Sequence, residues 1–125
     1  MKNNGFTFRK RIASFRYAFN GIRLLIQKEH NAWIHCFAAI CVLIAGFFFR
    51  LSSMEWIAIS IVIGSVFAAE AINSSIEALS DLVSPDYNEA IKKTKDLAAG
   101  AVLILALVAA TVGLIIFIPK IGKLF

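Results

Sequence analysis

Glu70, Asn73, Glu77 and Asp81 fall on one face of any helix that contains them. Steps of three, seven and eleven residues at about 100° per residue return close to the starting direction. Such a stripe of carboxylates with an amide can move protons or hold a hard cation. Its surroundings are apolar enough to read as a membrane-crossing helix, where ionisable groups are expensive and mark a functional site by default. Glu29 stands before the preceding apolar run, and Lys95-Asp96 stand before the following one. Oxygen ligands such as Glu29 and Glu77 suit Mg²⁺, which keeps waters and bridges substrate phosphates, and a lysine suits phosphate charge. Glu70 lies about nine residues, roughly 13 Å, from the inner end of its segment, near the hydrocarbon edge, which suits it to proton transfer.

These residues need elements to position them. The chain has 125 residues, 59% of them hydrophobic and 17% charged. Its mean hydropathy is +0.77, too high for a soluble domain of this size. Three apolar runs, 32–49, 56–79 and 97–118, are each about long enough to cross a bilayer. Residues 6–27 differ. Phe8, Ile12, Phe15, Phe19, Ile22 and Ile26 recur at helical steps, with Arg9, Arg16 and Arg23 mostly elsewhere. That pattern predicts a basic amphipathic helix in the headgroup plane, either a plain anchor or one wall of a lipid site. The expected fold is therefore a single all-α integral membrane domain over 1–125, with three transmembrane helices behind an N-terminal surface helix.

Charge sets the orientation. Ten of the thirteen Lys and Arg residues lie before the first run or between the second and third, and only Arg50, Lys120 and Lys123 lie elsewhere. This puts the N-terminus in the cytoplasm. The net charge of +5 gathers beside membrane segments, which favours an anionic lipid surface and excludes nucleic acid as a partner. The charged first 28 residues do not form a signal peptide. Cys36 and Cys41 read as packing residues, with no disulfide or metal implied. Between the second and third runs, Ser84-Pro85 or an Asp86-x-x-Glu89 capping box predicts a helix start near residue 85. There is no Gly-rich P-loop and no kinase catalytic loop, so any ATP binding uses another architecture.

The run Glu70-Ala-Ile-Asn73-Ser-Ser-Ile-Glu77-Ala, followed by Asp81 and Lys95-Asp96, resembles the signature of the bacterial membrane diacylglycerol kinase family. The similarity extends from Tyr17, Gly21 and Arg23 through Glu29 to the third run. The resemblance implies a homotrimer in the bacterial inner membrane, with active sites shared between subunits at the cytoplasmic face. It implies transfer of the ATP γ-phosphoryl group to a lipid hydroxyl. Glu70 is then the general base, supported by Asn73, and Glu29 and Glu77 hold magnesium on the nucleotide phosphates. Tyr17, Asp86, Tyr87, Asn88, Lys95 and Asp96 belong to the nucleotide site. Glu29-x-Asn31-x-x-x-His35 and the ending Gly113-Leu-Ile-Ile-Phe-Ile-Pro119-Lys120 resemble the undecaprenol kinase branch, which makes Asn31 and His35 lipid-site residues.

Two other classes fit some of these residues. Spanning Glu and Asn side chains also line small oligomeric channels and proton relays. They can equally serve only to join helices in an assembly subunit. Apart from His35 the first run has no matching polar face, which counts against a water-filled channel.

Overall fold

The computed structural model describes Gly5 and residues 7–125. Four helices follow in order: α1 (Phe8–Lys28), α2 (His30–Phe48), α3 (Ser53–Val83) and α4 (Glu89–Gly122). No strand occurs among the described residues. α2, α3 and α4 are each long and apolar enough to cross a membrane, which makes the chain an integral membrane protein with three spans. Residue 6, which opens the expected surface helix, and Lys2 of the charge count lie outside the described residues.

The Thr7 hydroxyl caps α1, accepting the Lys10 N–H at 3.1 Å. Phe8, Ile12, Phe15 and Phe19 are left uncovered by the rest of the chain, while Leu25 near the far end is buried. An apolar stripe left open opposite arginines is what a lipid surface accepts. The helix breaks at Glu29, whose extended backbone (φ −105°, ψ 114°) both closes α1 and opens α2. The Trp33 indole N–H donates to the Ile26 carbonyl across this break, and its ring meets His30 edge-on at 4.8 Å.

α2 ends in a Schellman turn. Arg50 takes the left-handed φ of 54°, Leu51 N–H donates to Gly46 O at 3.1 Å, and Arg50 N–H reaches Phe47 O at 3.4 Å. Gly46 is required there, because a Cβ would sit 2.6 Å from the Trp56 ring. Ser52 and Glu55 then form a reciprocal capping box that starts α3.

α3 packs against all three other helices, most extensively against α4. Two ion pairs fix the antiparallel α3–α4 hairpin. Lys95 Nζ meets Asp81 Oδ1 at 2.5 Å near the loop, and Lys120 Nζ meets Glu55 Oε1 at 3.1 Å at the other end. The pairs are 26 residues apart along α3 and 25 along α4, so the register holds to within one residue. At 1.5 Å per residue they stand about 39 Å apart. That is close to the thickness of a bilayer with its interfaces, about 40–45 Å.

The turn between these helices corrects an expectation. Neither Ser84-Pro85 nor Asp86 starts a helix. α4 begins at Glu89, with the Asn88 Oδ1 accepting the N–H groups of Ala90 at 2.9 Å and Ile91 at 3.1 Å. The Ser84 hydroxyl instead donates to Asp86 O at 2.9 Å and closes the turn. One asparagine thus satisfies two orphan donors, which removes any need for a cap further upstream.

The packed core sits at the end of the bundle away from α1. Leu51, Ile59 and Ile116 are buried there against Val42, Trp56 and Phe117. Toward α1 the packing opens. A cavity of about 490 Å³ lies between α2, α3 and α4, and a groove of about 820 Å³ lies between α1 and α3. The cavity borders the core itself at Val42, Ile59 and Phe117, while the groove opens at the α1 end, where the fold leaves room for a site.

Candidate active site

α3 is buried along one stripe: Ile59, Val66, Glu70 and Ser80. Its upper half is apolar and packs in the core; its lower half continues the same face with polar residues. Glu70 therefore lies where a leucine would normally be, 2% exposed even within a single protomer. Its Oε1 is 3.1 Å from Nδ1 of His35 on α2. The two atoms are within reach but misaligned, so each is buried without a hydrogen bond among the described residues. The edge of the Phe67 ring borders the imidazole at 6.3 Å between centroids.

His35 lies five residues, about 8 Å, past the start of α2, which sets the depth of Glu70 below the α1 level. The same contact fixes the α2–α3 register. Six residues back along α2 brings Glu29; six forward along α3 brings Ile76. Glu29 and Glu77 thus come to about the same level. The groove supports this placement, because Glu29 lines it together with Ser74, Ser75 and Ala78 of α3. The Glu29 side chain makes no capping hydrogen bond at the α1–α2 break. Glu77 is exposed, and its charge reaches Lys95. Among the described residues no three His, Cys, Asp or Glu side chains are grouped to hold a metal ion. Two carboxylates at one level match the donor chemistry of magnesium, which needs only one or two when phosphates and waters complete its shell.

The remaining expected residues divide between two faces. Lys95 turns inward to Asp81, while Asp96 turns outward to Lys92 at 2.6 Å. Asp96, Tyr87, Lys92 and Lys93 line an open groove of about 960 Å³ on the outer side of α4. Neighbours in sequence, Lys95 and Asp96 are separated by the 100° helical step. Asn88 is engaged in capping α4. Asp86 and Asn31 are exposed, Asn73 is half-buried, and Tyr17 is exposed on α1 outside the α1–α3 groove. Asp81, the last residue of the stripe, is exposed and paired with Lys95.

Phe67, Ala71 and Ser74, the helical neighbours of Glu70, line the α1–α3 groove, while the Glu70 carboxylate turns toward α2. The opposite wall is Ala18, Gly21, Ile22 and Leu25 of α1. Both cysteines are free, and Cys36 lines this groove. Ser74 is the site residue that motif reading passes over. Its hydroxyl is buried with no hydrogen-bond partner among the described residues, whereas Ser75 donates to Ala71 O at 2.9 Å. Only its helical offset of four from Glu70 pointed to it.

Comparison with known proteins adds a separate line. A family model described as prokaryotic diacylglycerol kinase matches residues 16–117. A protein of Bacillus subtilis (strain 168) named undecaprenol kinase is 41% identical over 107 residues, which cover 86% of this chain and 87% of that protein. A protein of Synechocystis sp. named diacylglycerol kinase is 32% identical over 114 residues, 90% of this chain and 65% of that protein.

Proposed function

The chain belongs to the prokaryotic diacylglycerol kinase family, and on that premise we propose that it is a membrane lipid kinase transferring the γ-phosphoryl group of ATP to a lipid alcohol, with undecaprenol as the preferred acceptor. The observation that carries the reading is the buried Glu70 behind an apolar groove, with Glu29 and Glu77 level with each other one to two turns nearer the loop end.

Phosphoryl transfer asks for in-line positioning and charge neutralisation more than for covalent chemistry. The acceptor's chain stays in the bilayer and enters the groove between α1 and α3. Its hydroxyl stops at the level of Ser74, whose unsatisfied hydroxyl can hold it. Glu70 takes the hydroxyl proton as the oxygen bonds to phosphorus. Glu29 and Glu77 would hold Mg²⁺, which when bound would supply charge neutralisation at the nucleotide phosphates. Lys95 adds positive charge beside Glu77, and Asn73 supports the carboxylates.

The two faces of α4 support a reading with more than one subunit. Lys95 serves the site of its own protomer, while Tyr87 and Asp96 face outward. In a homotrimer that outer face meets a neighbour, and each site is shared. The charge distribution supports a cytoplasmic α1 end in a bacterial inner membrane, where ATP is available.

The test is phosphorylation by purified protein in mixed micelles with ATP and Mg²⁺, offering undecaprenol and diacylglycerol separately. The reading expects both to be accepted, with undecaprenol faster. A folded protein that phosphorylates neither, but passes ions across liposomes, overturns it in favour of an ion path.

A further inference from the structure

We propose that His35 is the positioning residue for Glu70: its Nδ1–H is donated to Glu70 Oε1, which fixes the carboxylate and leaves Oε2 for the acceptor hydroxyl. The proposal rests on the reading of Glu70 as the base and goes beyond it by giving that base a partner on another helix.

A carboxylate this deeply buried is useful as a base only if something stabilises its charged form. On α4, Lys92 is held by Asp96, Lys95 by Asp81 and Lys120 by Glu55. The α4 residues facing the His35 cavity are Ala106, Ala109, Ala110, Gly113, Leu114 and Phe117, all apolar. On α1, Lys28 lines the groove on the other side of α3's small residues. On α3 itself, Glu77 lies two turns away and carries the same charge as Glu70. On α2, Glu29 and His30 stand at the helix start, more than a turn from His35. His35 is the described side chain whose nitrogen lies within hydrogen-bond distance of the Glu70 carboxylate, at 3.1 Å.

The geometry supports a donor role. The heavy atoms are already at hydrogen-bond distance, and both are buried and unsatisfied. Alignment is the only missing element, and catalytic hydrogen bonds often align only when substrate is bound. Phe67 against the imidazole restricts its rotation. The resemblance places His35 among the lipid-contacting residues, and the structure adds that its Nδ1 faces Glu70.

The experiment compares wild type with His35→Leu, which removes the donor, His35→Asn, which keeps an amide donor near the Nδ1 position, and Glu70→Gln. All four are first checked for folding by thermal unfolding and elution in detergent. We expect kcat of His35→Leu to fall about 100-fold with the KM for ATP unchanged, and His35→Asn to stay within about tenfold of wild type. A merely structural histidine would not be rescued by an amide donor, nor would its loss fall on kcat alone. Wild-type kcat in folded His35→Leu overturns the inference, as does equal loss in the Leu and Asn variants. An active Glu70→Gln overturns the base reading itself, so the two failures are distinguishable. If both histidine variants unfold, His35→Gln decides: its amide lies near the Nε2 position, away from Glu70, so wild-type kcat in that variant rules out the pair.

Discussion

Glu70 and its surroundings show why single residues matter so much in an apolar bundle. Its burial stripe is the continuation of Ile59 and Val66, so the helix already points that position inward. Replacing Glu70 by Gln keeps shape and burial but removes proton-accepting ability. The expected result is a folded protein with turnover down about 10²–10⁴-fold, read from initial rates of lipid phosphorylation. Gly46 is the structural counterpart. A Cβ there meets the rigid Trp56 ring at 2.6 Å, so Gly46→Ala should cost about 1–3 kcal/mol, measured by thermal unfolding in detergent with little change in KM. The stripe was legible in sequence because its spacing alone defines a face. The His35–Glu70 contact was not, because no local spacing relates residues on different helices. Ser74 was hidden for another reason: serine next to serine carries no signal until one of the two is seen to lack a partner.

The spans and the amphipathic helix were legible as elements, since hydropathy and period survive any tertiary arrangement. Their ends were less so. α4 starts at Glu89, eight residues before the apolar run expected at 97, because polar residues continue a helix beyond hydrocarbon at no penalty. Three start signals compete between residues 84 and 88, and only geometry shows that Asn88 is the one used. Asn88→Ala should therefore destabilise the α4 start by about 1 kcal/mol, while Ser84→Ala should cost less. Faster amide exchange confined to the first turn of α4 would register the effect. The hairpin pairs offer a further check. Lys120→Met leaves Glu55 with its capping bonds to Ser52, so catalysis at the opposite end should be unaffected while the melting temperature falls slightly.

One protomer leaves much of its apolar surface uncovered, as at Phe37, Phe47 and Ile115. Lipid covers such faces, and so do neighbouring subunits. The resemblance implies sites shared in a homotrimer, and the outward-facing Tyr87 and Asp96 fit that arrangement. If so, mixing subunits that carry Glu70→Gln with subunits that carry Asp96→Asn should restore activity that neither has alone; no restoration would place each site within one chain. Oligomeric state left no trace in the residue pattern itself, because a helix face against lipid and one against another helix are equally apolar. The measurement that tests the account most directly is transfer of phosphate from ATP to undecaprenol by wild type and Glu70→Gln side by side, with and without Mg²⁺. The account predicts robust transfer by wild type with the ion, background without it, and background for the variant under both conditions. Turnover by a folded Glu70→Gln protein at the wild-type rate would contradict it.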